Sequence, residues 1–242
     1  MVGALLIRGM VAGALAGLLA SGFAWVFGEP QVDLAIGFEQ RLRAVAGEAP
    51  EPELVSRAVQ STAGLLTGIL VYGIALGGIF SLVFAYTYGR LGRLSPRATA
   101  AILAAGGFGA LILVPQLKYP ANPPSVGEPG TIAARTALYF TMIMLSVIAA
   151  LAATSTARQL ARRLGAWNST MIGSAAYLAV MAIAMRILPR VNEVPADFPA
   201  TALWNFRLAS LGIEAVLWTA LGLVFGALVE RQFISSRSAV GQ

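Results

Sequence analysis

The 242-residue chain has neither cysteine nor histidine, and only 12% of its residues are charged. Without cysteine it has no disulfides, no thiolate nucleophile and no iron–sulfur ligation. Without histidine it lacks the commonest transition-metal ligand and the usual near-neutral proton relay, so any metal site must draw on oxygen ligands or methionine. It also lacks a Walker-type glycine loop, a histidine-containing triad and a paired-carboxylate motif on one element. The chain is therefore expected neither to hydrolyse ATP nor to be an enzyme, and to need no cofactor. A net charge of +6 invites comparison with nucleic-acid binders. Its arginines, however, are spread over separate loops without interleaved stacking aromatics, so no nucleic-acid partner is expected.

What the chain has in abundance is apolar residues, at 57%, with a mean hydropathy of +0.75. Runs of about twenty apolar residues exceed the needs of a soluble core and match the thickness of a bilayer. Backbone groups in lipid must be satisfied within the segment, and long unalternating runs select helices over a barrel. The fold class expected is all-α: a single polytopic membrane domain over 1–242, with spans near 4–27, 61–88, 98–117, 136–157, 169–188 and 208–229. No small-x-small cleavage pattern stands before Glu29, so the first span is read as a retained helix.

Lysine and arginine accumulate in the short loops that stay in the cytoplasm. With six spans, Arg8, then Arg90, Arg93 and Arg97, then Arg158, Arg162 and Arg163, then Arg231 and Arg237 all fall on one side. Glu29, Asp33, Glu39, Glu48, Glu51, Glu53, Glu128, Glu193 and Asp197 fall on the other. Both termini are then cytoplasmic.

The first external connection, 28–58, carries Val32, Ile36 and Leu42 at helical spacing, which predicts a short amphipathic helix ended by Pro50 and Pro52. Its acids are either simply solvated or, in the case of Glu29 and Glu39, collectors for cations. The external connections open at Pro30, Pro115 and Pro189 and close at Arg57, Arg135 and Arg207. That pattern allows spans three to four and five to six to be a diverged repeat, although prolines end helices and arginines anchor interfaces in any case. Glycines four apart (Gly9, Gly13 and Gly17; Gly64 and Gly68; Gly73 and Gly77; Gly222 and Gly226) predict close helix approach.

Charges in or beside the spans are costly unless paired or facing a wet cavity, and so mark candidate sites. Glu214 lies seven residues beyond Arg207 on the same helix face, too far for direct pairing. Arg186, near the outer end of span five, is a candidate partner or else snorkels to the headgroups. Lys118, Tyr119, Asn122 and Arg135 belong to the proline-rich stretch "VPQLKYPANPPSVGEPGTIAARTALY", and Asn192, Glu193 and Asp197 to "VNEVPADFP". Together these two connections are expected to rim an external vestibule.

The stretches "PQLKYPANPPSVGEPGTIAARTALY", "VSRAVQSTAGLLTGILVYGIALGGIFSLVFAYTYGRLG" and "VNEVPADFPATALWNFRLASLG" resemble the CbtA family of predicted cobalt transporter subunits, over most of the chain. The resemblance implies a polytopic protein of the bacterial cytoplasmic membrane for uptake of Co2+, linked to cobalamin synthesis. It also implies, often, a small single-span partner, CbtB, bearing histidines near a terminus. Lys118, Tyr119, Pro120, Asn122, Pro123, Pro124, Arg135, Asn192, Glu193, Pro195, Asp197, Trp204, Phe206 and Arg207 match the family's characteristic segments. Where many members carry histidines in the first external loop, this chain has "AVAGEAPEPELV". Two functions are thus expected as alternatives: a metal-ion permease subunit, or a non-transporting membrane subunit that packs against a larger complex through its outer loops.

Overall fold

The computed structural model describes residues 2–47, 54–90, 92, 94–124 and 126–240, with side chains as far as 232. Glu48, Pro50, Glu51, Pro52, Glu53, Arg93 and the side chain of Arg237 lie outside the described residues. Among those described there are helices and loops and no strand. In chain order, α1 is Val2–Phe23, α2 Glu29–Ala46, α3 Arg57–Thr87, α4 Pro96–Lys118, α5 132–164, α6 166–187 and α7 Ala200–Val240. Five continuous helical stretches are long and apolar enough to cross a membrane. One of them, Ile132–Ile187, breaks at Gly165 into α5 and α6, which brings the crossing segments to six.

Two of the three prolines expected to open external connections do not end their helices. A proline inside a helix lacks the N–H for the i−4 carbonyl and crowds it. Ahead of Pro30 the chain takes a π-helical turn, Ala24–Gly28, and ahead of Pro115 another, Phe108–Leu113. The wider turn absorbs the defect, so α1 runs on into α2 and α4 continues to Lys118. The amphipathic segment predicted in the first external connection is therefore an 18-residue extension of the first span rather than a separate short helix. Only at Pro189 does the rule hold simply. Leu188 is extended (ψ 144°), as the residue before proline must be, and α6 stops. At the start of α4, Ser95 accepts from Ala98 N (3.2 Å) with Pro96 in the first turn, a conventional N-terminal cap.

The helices group into two compact units. The first comprises Met1–Phe108, Pro123–Ser125 and Pro199–Gln242. Here α1 and α3 run antiparallel with backbones in direct contact. A β-carbon at Gly9 or Gly13 would overlap the carbonyl of Gly77 or Gly73, and the reverse substitutions would meet the carbonyls of Gly9 and Gly13. Gly222 and Gly226 of α7 sit in the same way against Ala100, Ala104 and Arg97 of α4. Small residues permit this approach, and in lipid it is van der Waals packing that holds helices together. Gly64 and Gly68, at the same spacing, meet no other helix. An aromatic group fills the space between α3 and α7: Phe225 packs edge-on to Phe80 and Phe84, with centroids 5.4 and 5.0 Å apart.

The second unit comprises Gly109–Asn122 and Val126–Phe198. Its centre is the α5–α6 hairpin. Gly165 takes φ 77° and ψ 163°, a backbone region open essentially to glycine alone, and this one residue reverses the chain. The two helices then meet along buried Met142, Ala149 and Met181, and Ser146 hydrogen-bonds Tyr177 across them at 2.8 Å. Gly173 touches the Ala153 carbonyl and the Ala157 methyl near the turn.

Candidate functional site

The second unit gathers Lys118, Tyr119, Arg135 and Glu193 at the end of the hairpin away from Gly165. Lys118 sits in the last turn of α4. Its Nζ donates to the carbonyls of Met185 (2.7 Å) and Leu188 (2.9 Å), the unsatisfied acceptors at the C-terminus of α6. A cation there also meets the negative end of the helix dipole. Tyr119 OH donates to the Pro189 carbonyl at 2.9 Å, continuing the same cap.

Glu193 is the second knot of this unit. It accepts from Thr131 Oγ1 (2.9 Å) and from the Glu128 backbone N–H (2.9 Å), and it pairs with Arg135 Nε at 3.3 Å. The Thr131 hydroxyl, then the Glu128 amide, then the Arg135 charge hold its carboxyl below the usual carboxylate range. Arg135 donates in turn to the Glu128 carbonyl at 3.2 Å. Its guanidinium lies against Gly127, whose φ of 121° and lack of a side chain are both needed for that approach. The two proline-rich connections are thus bound to each other by charge-assisted bonds.

Other predicted site residues of this unit differ in exposure. Asn122 is half-buried in the extended segment after α4, whereas Asn192, Asp197 and Arg186 are exposed. The charged groups of Lys118, Arg135 and Glu193 are thus each engaged by groups of their own unit.

The first unit holds the remaining candidates. Arg57 opens α3 and is engaged by α2: its Nε donates to Asp33 Oδ1 at 2.9 Å and its Nη2 to Glu29. Glu39 accepts from Arg43, one turn on, at 2.7 Å. The two carboxylates read as possible cation collectors are each already held by a guanidinium. At the far end of the unit, Arg97 pairs with Glu230, tying the start of α4 to α7.

Glu214 differs from all of these acids. It lies within the membrane-crossing part of α7, two turns beyond Arg207, where Gly212 packs on Phe23 and Ile213 on Gly28 at the π-helical turn of α1. Its Oε2 is buried and receives no hydrogen bond among the described residues. One turn further along α7, the buried indole N–H of Trp218 is a neighbouring donor that misses hydrogen-bonding geometry. Gln31, one turn past Gly28 on α2, also has a buried side-chain oxygen without a donor. An unpaired buried acceptor costs about 1–3 kcal/mol and a charged one more, so packing alone does not explain such groups. Trp218 was findable in the sequence as the residue four beyond Glu214. Gln31, Thr131 and Asp33 carried no such signal, because their role depends on which helices touch.

Among the described residues no three carboxylates come close enough together to form a ready-made metal cage. The first unit holds two buried side-chain oxygens without a donor among the described residues, one of a carboxylate and one of an amide.

The family model described as Probable cobalt transporter subunit (CbtA) matches residues 2–230. The chain belongs to that family. Its helices, long and apolar enough to cross a bilayer, agree with a membrane protein, and the family description makes it one subunit among others. No curated protein and no solved structure matches the chain.

Proposed function

We propose that the chain is the membrane-embedded subunit of a cobalt uptake system in the bacterial cytoplasmic membrane, with both termini in the cytoplasm, and that it lines the path of the ion. The observation that carries this reading is the Glu214 oxygen, buried inside a membrane-crossing helix and accepting no hydrogen bond among the described residues. A carboxylate at such depth is expensive to keep and marks an ion route more often than a structural contact. Co2+ accepts oxygen ligands, and with neither histidine nor cysteine available the site would hold the ion only moderately, as a path requires. The chain itself does no covalent chemistry, so the driving force comes from an ion gradient or another subunit. The ion delivered would supply cobalamin synthesis, and a small single-span CbtB-like partner would provide the histidines that this chain lacks.

A second reading has its own support. Lys118, Thr131 and Glu193 of the two proline-rich connections are held by groups of the same unit, as they would be in a rigid docking surface for a larger membrane complex, and this chain would then not itself transport. Uptake of radioactive cobalt into liposomes containing the purified chain, alone and with its small partner, decides between them. Uptake above empty liposomes supports the first reading; its absence in both preparations supports the second.

A further inference from the structure

The tip of the α5–α6 hairpin carries a charge that no described residue neutralises. Arg158, Arg162 and Arg163 lie on the last two turns of α5, and all three are exposed. None forms an ion pair or a side-chain hydrogen bond among the described residues. Their own unit has few acids to offer: between Glu128 and Glu193 the sequence contains no aspartate or glutamate. Glu193 is held at the opposite end of the hairpin by Thr131 and Arg135. Close beside the arginines, Trp167 is 75% exposed and Leu164 44% exposed.

From this arrangement we infer that the hairpin tip is a binding site for the headgroup of an anionic phospholipid. Arg158 and Arg162 are one turn apart and so share a helix face, and Arg163 adjoins them. Guanidinium groups bind phosphate oxygens in a planar, two-pronged fashion. The apolar stretch of α5 ends just before Arg158 and that of α6 begins just after Asn168, so the cluster emerges at the level of the headgroups. The exposed indole of Trp167 selects that same level, being apolar over its body and polar at one edge. An acidic protein surface would satisfy the charge but leave Trp167 and Leu164 against water, which favours lipid as the occupant. The tight reversal at Gly165 brings the arginines and the tryptophan onto one tip without an intervening loop.

The test is lipid retention by the full chain in nanodiscs of phosphatidylcholine mixed with phosphatidylglycerol, read by native mass spectrometry after transfer to detergent. The wild-type chain should retain phosphatidylglycerol in preference to phosphatidylcholine. Each arginine changed to glutamine should reduce that preference by about fivefold, the effect of one basic residue near an anionic surface. The triple variant Arg158→Lys, Arg162→Lys, Arg163→Lys keeps the charge and should keep most of the preference, which separates lipid binding from a folding role. Equal retention of the two lipids by the wild type would overturn the proposal. So would a triple glutamine variant that retains phosphatidylglycerol as well as the wild type, or a triple lysine variant that loses it as fully as the glutamine one.

Discussion

Glu193 and Glu214 are the same side chain in two opposite settings. Glu193, in the unit of the α5–α6 hairpin, has a hydroxyl, a backbone amide and a guanidinium around it. Glu214, in the unit of α1, α3 and α7, has a buried oxygen that accepts no hydrogen bond among the described residues. The comparison extends to the units themselves. The first is joined by bare backbone contacts through Gly9, Gly13, Gly73 and Gly77 and leaves a polar atom unsatisfied inside. The second is fastened by polar bonds at the end away from Gly165 and leaves its unsatisfied charge at the hairpin tip. The Glu193 carboxylate accepts from a hydroxyl and an amide beside a guanidinium, and so serves the fold, whereas the buried Glu214 oxygen accepts from nothing among the described residues and is free for another use.

The largest expected effect comes from the backbone contacts of the first unit. Gly77→Val places its side chain into the Gly9 carbonyl and should destabilise by about 3 kcal/mol or more, seen as a fall in thermal melting temperature in detergent. Gly68→Val, on the same helix but with open space around it, should leave melting nearly unchanged. Equal effects at the two positions would mean that the glycine faces do not hold α1 to α3.

Next in size is the reversal of the hairpin. Gly165→Ala forces a β-carbon into φ 77°, ψ 163° and should cost about 1–3 kcal/mol. Crosslinking of cysteines placed at Ser146 and Tyr177 should become slower as the two helices separate. Lys118→Met keeps much of the side chain's length while removing the ammonium that caps α6, and should cost about 2 kcal/mol. That loss should appear as faster hydrogen exchange in the last turn of α6 and not in α1 or α3.

The smallest effect is a pH dependence with a defined sign. Because the folded-state pKa of Glu193 is depressed, its contribution to stability is fully present above the ordinary carboxylate range. It is lost as pH falls through the folded value. Melting of the wild type and of Glu193→Gln should therefore differ most at neutral pH and converge in acid. A difference that grew on acidification would contradict the clamp.

Much of the helical framework was legible in the sequence because apolar length and glycine spacing are local signals. The crossing segments and the pairing faces around Gly13, Gly77 and Gly222 follow from them directly. Pro30 and Pro115 misled, because a π-helical turn just upstream accommodates a proline without ending the helix. The polar residues of the external stretches were found as a group, but not their use. Lys118 reaches carbonyls about seventy residues further along the chain, and Glu193 reaches back a similar distance to Thr131. Such partners are set by tertiary contact and leave no periodic trace. Glu29 and Glu39 looked free for the same reason, until Arg57 and Arg43 were seen beside them.

Cobalt uptake by liposomes containing Glu214→Gln or Glu193→Gln, measured beside the melting temperature of each variant, tests most directly the division between an acid kept for transport and one kept for structure. Glu214→Gln is expected to abolish uptake while melting at or above the wild-type temperature, since a neutral side chain is easier to bury. Glu193→Gln is expected to melt lower yet to transport wherever it stays folded. Wild-type uptake by Glu214→Gln, or loss of uptake by a fully folded Glu193→Gln, would contradict that division.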